Sequence, residues 1–344
     1  MVAEFLGGAE RTLDLAQYDF HLQPDTAAVV GGAIRQAAAR GVAIRFIYNV
    51  DHRFPIPVPP PPEPDVQLIE TLPVEAKALA GIPDLMHHKY VVRDGAAVWT
   101  GSANWTDESW SRQENLLAVV ESHELAARFT SNFEALWTKE RVEDSGFESP
   151  DRLGLGDAHV RPWFCPGHGE ELSHRYAKLI SLARRRVRIC SPVITAAPVL
   201  AVLAQLCSEG RTHLAGLVDL TQMQGVVYQW HINGNVAWKL PLLRRALSRG
   251  FSGKRSTPWE PSGSVHDFMH AKVTVVDDVV LLGSFNLSHS GEQNAENVLE
   301  IENAELADRM AAFVDGVRAR YPAIGVADLD HPRLAGPQPA EPPA

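Results

Sequence analysis

Cysteine is scarce in this chain of 344 residues. There are three, Cys165, Cys190 and Cys207, and no two of them stand in a C-x-x-C spacing. A disulfide framework needs an even set of cysteines and a zinc site needs closely spaced ligands, so the sequence favours neither. We expect buried thiols in a reducing compartment, and therefore a cytoplasmic protein.

Long apolar runs and a basic excess are also missing. No segment approaches the roughly 18 apolar residues of a membrane span, and Met1 to Gly8 carry neither a basic start nor a sustained apolar stretch, so neither a span nor a secretion signal is predicted. Acidic residues outnumber basic ones, 42 to 32, which gives a formal charge of −10. This balance argues against a protein that binds chiefly by neutralising many phosphates, although a local basic groove is compatible with it.

One pattern occurs twice in the chain. H-x-K-x4-D is followed both times by G-S-x-N and then by an E-N pair. The first copy contains His87, Lys89, Asp94, Ser102, Asn104 and Glu114, and the second contains His270, Lys272, Asp277, Ser284, Asn286 and Glu296. The glutamates lie equally far from their motif serines (114 − 102 = 296 − 284 = 12). One copy could arise by chance, but two copies with the same followers indicate a duplication.

The two halves follow a similar order of elements. Residues 12–20, 26–40 and 42–48 are expected to form a strand, a helix and a strand, which predicts a largely parallel sheet covered by helices. A Gly-, Pro- and Ser-containing stretch at 144–157 suggests the boundary between halves at 1–150 and 158–322. The Pro-rich residues 323–344 are predicted to be disordered. With 45% hydrophobic residues, the chain can bury two domain cores.

The motif strand of the first half is predicted over 85–92. Because side chains alternate along a strand, His87 and Lys89 should share one face and His88 should point to the other. Two long insertions without clear periodicity, 51–85 and 222–265, precede the motif strands. The first is rich in proline, and the second carries basic and aromatic side chains. His266 and Asp267, beside the second motif strand, are candidates for substrate contact.

The paired H-x-K-x4-D and G-S-x-N patterns resemble those of the phospholipase D superfamily. The first copy is also similar to endonucleases and cardiolipin-hydrolase-like members of that superfamily. The resemblance covers nearly the whole chain. It implies a duplicated α-β-α sandwich whose halves are related by a pseudo-twofold axis, with one active site at their interface and both motif copies supplied by a monomer.

The resemblance also implies roles for the motif residues. His87 is expected to attack phosphorus and His270 to act as acid and base, although the symmetry of the sequence permits the reverse. Lys89, Lys272, Ser102, Ser284, Asn104 and Asn286 are expected to bind the phosphate, which would make a metal unnecessary. Glu114 and Glu296 are expected to accept a hydrogen bond from each histidine, and Asp94 and Asp277 to brace the motif backbone. No cofactor is implied.

Substrate is the open question. We expect a phosphodiester and slightly favour a phospholipid, cleaved by water or transferred to an alcohol, because the chain is acidic and lacks a basic stripe. A nuclease acting on DNA or RNA by the same mechanism is the alternative. A scaffold that kept only the fold is a third hypothesis, which the two intact His-Lys pairs disfavour. Peripheral membrane contact is possible on the first hypothesis, and no obligate protein partner is predicted.

Overall fold

The computed structural model describes residues 1–50, 63–80, 84–210, 212–259 and 265–330. Each half of the chain builds one mixed sheet with helices packed against it. The expected duplicated α/β architecture is therefore confirmed. None of the helices in the described ranges is long and apolar enough to cross a membrane.

The described residues of the first half form a six-stranded sheet, a two-stranded ribbon and five helices. Its elements in chain order are α1 Val2–Gly7, β1 Thr12–Gln17, β2 Phe20–His21, α2 Pro24–Ala39, β3 Ala43–Asn49, α3 Val66–Glu70, β4 Glu75–Leu79, β5 Lys89–Arg93, β6 Ala97–Gly101, β7 Trp105–Thr106, α4 Asp107–Ser111, β8 Leu117–Glu121 and α5 His123–Lys139.

The second half repeats this plan around an eight-stranded sheet. Its elements are β9 Leu153–Leu155, β10 Ala158–Cys165, α6 Gly169–Leu182, β11 Arg186–Cys190, α7 Ala197–Glu209, β12 His213–Asp219, α8 Leu220–Ile232, α9 Leu240–Leu247, β13 Phe251–Lys254, β14 Val273–Val276, β15 Val279–Gly283, α10 His289–Gln293, β16 Glu296–Glu302 and α11 Ala304–Arg318. Short 3-10 turns lie at Val142–Asp144, Gly234–Lys239 and Val326–Leu329.

The sheets are mixed, and the prediction of a largely parallel sheet was wrong. In the first sheet the order is β4-β3-β1-β5-β6-β8, and in the second β13-β12-β11-β14-β15-β16-β10-β9. Within the described residues of these two sheets, only the strands joined through helices or long loops are parallel, namely β1, β3 and β4 and likewise β11, β12 and β13. The motif strands β5 and β14 run antiparallel to β1 and β11, and short turns join them to their antiparallel partners β6 and β15.

The halves share a central core. Apolar side chains of α5, such as Phe129 and Phe133, and of α11, such as Val314, belong to one cluster with residues of both sheets. Ser122 begins α5, since its hydroxyl accepts a hydrogen bond from Leu125 N at 3.2 Å. Separate clusters lie on the outer faces of the two sheets, under α2 in one half and under α6 and α7 in the other.

Two predicted irregular regions contain regular structure. The insertion at 51–85 includes α3 and the edge strand β4, while its residues 51–62 lie outside the described ranges. The insertion at 222–265 contains most of α8, α9 and β13. At the carboxyl end, residues 323–330 are ordered because Ile324 and Leu329 are buried, whereas 331–344 lie outside the described ranges.

Asp94 and Asp277 hold equivalent bracing positions at the far ends of the motif strands. Asp94 Oδ1 accepts from the backbone N–H groups of Arg11 (2.7 Å) and Thr12 (2.9 Å). Asp277 does the same for Arg184, Arg185 and Arg186, between 2.8 and 3.1 Å. Burial acts to raise the pKa of both carboxyl groups, but these donors outweigh it, so each pKa lies below its usual value.

Asp94→Asn should lower the free energy of unfolding by about 1 to 2 kcal/mol at pH 7, because the charged acceptor is lost. The folded-state pKa of Asp94 is depressed, so its stabilising contribution is complete above the unfolded value and disappears as the pH falls through the folded value. Urea unfolding of both proteins at pH 7 and pH 3 checks this. An equal difference in stability at the two pH values would contradict it.

Candidate active site

The two histidine segments cross the boundary between the halves in matching fashion. His87 N donates to Ala295 O, and His270 N donates to Glu114 O, both at 3.0 Å. Each motif segment is thus fastened to the loop after the G-S-x-N sequence of the other half. The backbone forms these links as two isolated parallel bridges, Met86 with Ala295 and Met269 with Glu114. The pseudo-twofold arrangement brings the motif copies together.

The motif lysines are buried beside their histidines. Lys89 and Lys272 are 0% and 4% exposed, and their ammonium groups donate to His87 O (2.7 Å) and His270 O (2.9 Å). Burial lowers the pKa of Lys89 to about 8, although the Glu296 and Asp19 carboxylates oppose the shift. Burial also lowers the pKa of Lys272 strongly. A bound anion would raise both pKa values and favour the charged forms of the two lysines.

The two imidazoles lie in one electrostatic environment. His87 is buried and His270 is partly exposed. Burial is the first cause that lowers the pKa of each ring, and the charges of Lys89 and Lys272 lower both further. His87 itself contributes to the lowered pKa of His270. Both shifts favour the neutral form of the imidazole.

Glu296 forms a hydrogen bond with His87, the histidine of the first motif copy. Its carboxylate is fully buried, and Oε1 lies 2.7 Å from His87 Nδ1. Burial raises the pKa of Glu296 to about 8, while Lys89 and Lys272 act in the opposite direction. The carboxylate comes from the other half of the chain, so the first histidine is completed by the second half.

Glu114 does not hold the second histidine, contrary to the prediction from its spacing. Asn115 takes that position, with its Oδ1 3.3 Å from His270 Nδ1. The strand register gives the reason: Gly101 pairs with Leu117, whereas Gly283 pairs with Val298. The first half has one more residue in this loop (117 − 101 = 16; 298 − 283 = 15), so Asn115 is the structural equivalent of Glu296.

Glu114 instead links the halves beside the site. Its Oε2 accepts from Lys254 Nζ at 2.8 Å, and its other oxygen accepts from the Tyr321 hydroxyl. Both side chains of the ion pair are at least nine-tenths buried. Glu114 thus supports His270 through its backbone carbonyl and not through its carboxylate.

Ser102 and Ser284 are fully buried, and their hydroxyl groups form hydrogen bonds within the fold, while their binding of phosphate stays a prediction. Ser102 Oγ accepts from Leu116 N at 2.9 Å and donates to Asn115 Oδ1 at 2.8 Å. Ser284 Oγ accepts from Asn297 N at 3.0 Å. The motif glycines before them are required because a Cβ at Gly101 or Gly283 would lie 2.2 or 2.1 Å from a carbonyl oxygen of the next strand.

The motif asparagines differ between the halves. Asn104 Nδ2 donates to Asp19 Oδ2 at 2.8 Å, which leaves one N–H of the amide for a ligand. Asn286 is partly exposed, and its Oδ1 has no donor among the described residues. Asp19 was missed in the sequence. Its position could have identified it: Asp19 lies two residues after the end of β1, at the carboxyl edge of the parallel strands, where ligand sites of α/β sheets occur.

His88 points away from the site, as the alternation along the strand predicts. It is fully buried, and its Nδ1 lies 3.2 Å from Asn297 Nδ2. Its ring packs against Tyr90 and Phe164. His88 therefore belongs to the interface between the halves.

Comparison with known proteins gives one family and a shared fold. The family model for the cardiolipin synthase PLD-like domain matches residues 2–137 and 176–317. Human mitochondrial cardiolipin hydrolase is 24% identical over 129 residues, 38% of this chain and 46% of that protein. The Chlamydomonas reinhardtii protein of the same name is 24% identical over 134 residues, 39% and 55% of the two chains. The chain thus spans about half the length of these relatives.

Two solved structures share the fold along nearly the whole chain. Phosphatidylserine synthase from Haemophilus influenzae has a TM-score of 0.64 at 13% identity, covering 97% of this chain and 86% of that chain. Polyphosphate kinase from Porphyromonas gingivalis has a TM-score of 0.56 at 11% identity, covering 97% and 53%. Since the family model includes both motif copies, the chain belongs to the cardiolipin synthase-like PLD domain family, within the phospholipase D superfamily.

Proposed function

We propose that this protein is a metal-independent phosphodiesterase that acts on phospholipids through a phosphohistidine on His87. The observation that carries the proposal is the buried hydrogen bond between Glu296 and His87, beside Lys89 and Lys272. We further propose that the chain works in the cytoplasm as a monomer with peripheral access to membranes, since both motif copies lie in one chain.

The contacts of His87 suit it to attack phosphorus. An ionised Glu296 accepts the Nδ1 proton, which leaves the Nε2 lone pair free. The depressed pKa of His87 keeps that nitrogen unprotonated. As Nε2 bonds to phosphorus the ring becomes positive, and the neighbouring carboxylate stabilises that charge. His270 has only the neutral amide of Asn115 at the equivalent place.

His270 is then the acid and base. A bound diester brings a negative charge that offsets Lys89 and Lys272 and favours protonated His270. In the first step the N–P bond forms, the bond to the alcohol breaks, and the alkoxide takes the proton of His270. In the second step water or another alcohol gives its proton to His270, its oxygen bonds to phosphorus, and the N–P bond breaks.

The lysines and asparagines would stabilise the transition state. Lys89, Lys272 and the free N–H groups of Asn104 and Asn286 surround the place where the phosphoryl oxygens gain charge. These donors supply the positive potential for which other phosphodiesterases use a metal ion. Ser102 positions Asn115, and Ser284 fastens the strand that begins with Glu296.

Cleavage of DNA or RNA is the second candidate. A cleft of about 450 Å³ beside Glu114 is lined by Arg112, Lys254 and Arg255, which suits additional phosphates. However, Lys254 is paired with Glu114 and Arg255 with Asp328, at 2.8 Å each. These pairs reduce the positive potential of the cleft, which favours the lipid.

The two histidines should fail at different steps with bis-p-nitrophenyl phosphate, whose leaving group needs little acid catalysis. His270→Ala should release about one p-nitrophenol per active site and then turn over roughly 10²–10⁴-fold more slowly, because the phosphohistidine lacks its base. His87→Ala should give no burst. Stopped-flow absorbance checks both variants, and unchanged turnover in both would refute the catalytic proposal.

A chelator should leave the activity unchanged, because the proposed mechanism takes its positive charge from lysine and amide groups. Initial rates of the wild-type protein with and without excess EDTA check this. Loss of activity in EDTA and its recovery on adding a divalent ion would show that a metal takes part.

Glu296→Gln should keep the hydrogen bond but remove the charge, and we expect turnover to fall by about 10²–10⁴-fold. The wild-type kcat/KM should rise towards pH 8 as Glu296 loses its proton and fall above it as Lys89 loses its own, and the variant should lack the rising limb. Asn115→Ala, the matched change at His270, should cost roughly tenfold or less, since no charge is lost. Equal losses in the two variants would contradict the assigned roles.

A further inference from the structure

Four carboxylates lie beside the candidate site, on both sides of the boundary between the halves. We call Asp19, Glu63, Glu108 and Asp267 the acidic mouth: the charges of Glu63, Glu108 and Asp267 act on His266, and Asp19 interacts with Glu63 and Glu108. Asp19 Oδ1 accepts from Glu63 N at 2.9 Å, and Trp259 Nε1 donates to the Glu63 carboxylate at 2.9 Å. Across the boundary, His266 Nε2 lies 3.7 Å from Glu108 Oε1, and Asp267 Oδ1 accepts from Thr257 N at 2.6 Å.

The acidic mouth is continuous with the reacting groups. Asp19 contacts Asn104 and interacts with the charge of Lys89. On the other side, the charge of His266 contributes to the lowered pKa of His270. Lys254, 3.7 Å from Asp267, is already paired with Glu114. A phosphodiester between the histidines would therefore extend one substituent along these carboxylates.

A hydrogen-bond acceptor without a donor inside the site indicates which chemical group that substituent contains. Asn104 is 9% exposed, and its Oδ1 has no hydrogen-bond donor among the described residues. Since Nδ2 of the same amide is held by Asp19, the carbonyl oxygen cannot exchange places with it without losing that bond. A buried acceptor without a partner is costly, so a ligand that donates a hydrogen bond there would remove the cost.

The duplicated fold does not require a carboxylate at the position of Asp19. Asp94 accepts a hydrogen bond from Thr12 N, and Asp277 accepts one from Arg186 N. Thr12 and Arg186 therefore occupy equivalent positions in the two halves. Seven residues later stand Asp19 in the first half and Val193 in the second. The second half folds the same way with an apolar residue at this place. The carboxylate at Asp19 is thus an addition to one side of the shared site.

We propose that the acidic mouth binds a primary ammonium group on the alcohol portion of the phosphodiester, as in an ethanolamine headgroup. This inference rests on the proposed function and names its substrate class. A primary ammonium offers both the positive charge that the carboxylates attract and the N–H donor that Asn104 lacks. A quaternary ammonium has no N–H, a glycerol headgroup has no positive charge, and a polynucleotide would bring further phosphates against the carboxylates.

The test uses dihexanoyl phospholipids below their micelle concentration, so that membrane binding does not enter. Headgroup release from the ethanolamine, choline and glycerol esters is measured for wild type, Glu108→Gln and Glu63→Gln. Glu121→Gln, an exposed carboxylate on β8, is the matched control. Bis-p-nitrophenyl phosphate, which lacks a headgroup, reports folding and basal activity. A single-stranded oligonucleotide is the fourth substrate.

The expected kcat/KM for the ethanolamine ester is about tenfold above that for the glycerol ester, with choline between them. Glu108→Gln and Glu63→Gln should each reduce this preference about threefold or more, while Glu121→Gln leaves both the preference and the rate with bis-p-nitrophenyl phosphate unchanged. Equal rates for the three esters, a preference that neither variant changes, or faster cleavage of the oligonucleotide would overturn the inference. Absence of hydrolysis of bis-p-nitrophenyl phosphate by wild type would instead refute the proposed function.

Discussion

The structure depends on keeping several like charges buried at one interface. Lys89, Lys272 and the two histidines meet where the halves join, and an unpaired buried charge is costly. The fold offsets this cost by giving each ammonium a backbone carbonyl and by placing the Glu296 carboxylate among them. The pKa values of Lys89, Lys272 and His87 nevertheless lie below their usual values, and a bound phosphodiester anion would raise them again. Under the proposed function, the same burial that lowers these pKa values would favour the binding of an anion.

The duplication supplies the frame, and departures from symmetry give the two sides different chemistry. Glu296 and Asn115 occupy equivalent positions, so one imidazole has a carboxylate and the other an amide. Asp19 and Val193 likewise occupy equivalent positions. Asp19 accepts a hydrogen bond from the motif asparagine Asn104, whereas the side chain of Val193 cannot accept one. A reaction with a nucleophile on one side and an acid on the other needs such a difference. The buried pair of Glu114 and Lys254 keeps the second histidine in place without adding a charge to it.

Much of this was predictable from the sequence, for identifiable reasons. The motif spacing located His87, Lys89, His270 and Lys272, and strand alternation turned His88 away, because both depend on local backbone geometry. The contact of Glu114 was mispredicted because one extra residue in a loop changes the register, and counting from Ser102 does not show it. The roles of Ser102 and Asp19 depend on contacts between distant segments. The order of residues 323–330 likewise follows from burial of Ile324 and Leu329 against the rest of the fold.

In the proposed mechanism two imidazoles, one from each half, act in turn on a single phosphorus atom. The stereochemical course at phosphorus tests this claim most directly. A diester made chiral with sulfur and oxygen isotopes would be cleaved in the presence of an alcohol acceptor, and the configuration of the product determined by phosphorus NMR. Two successive in-line displacements predict overall retention. Inversion would mean that water or the alcohol attacks directly, without a phosphohistidine, and would contradict the account.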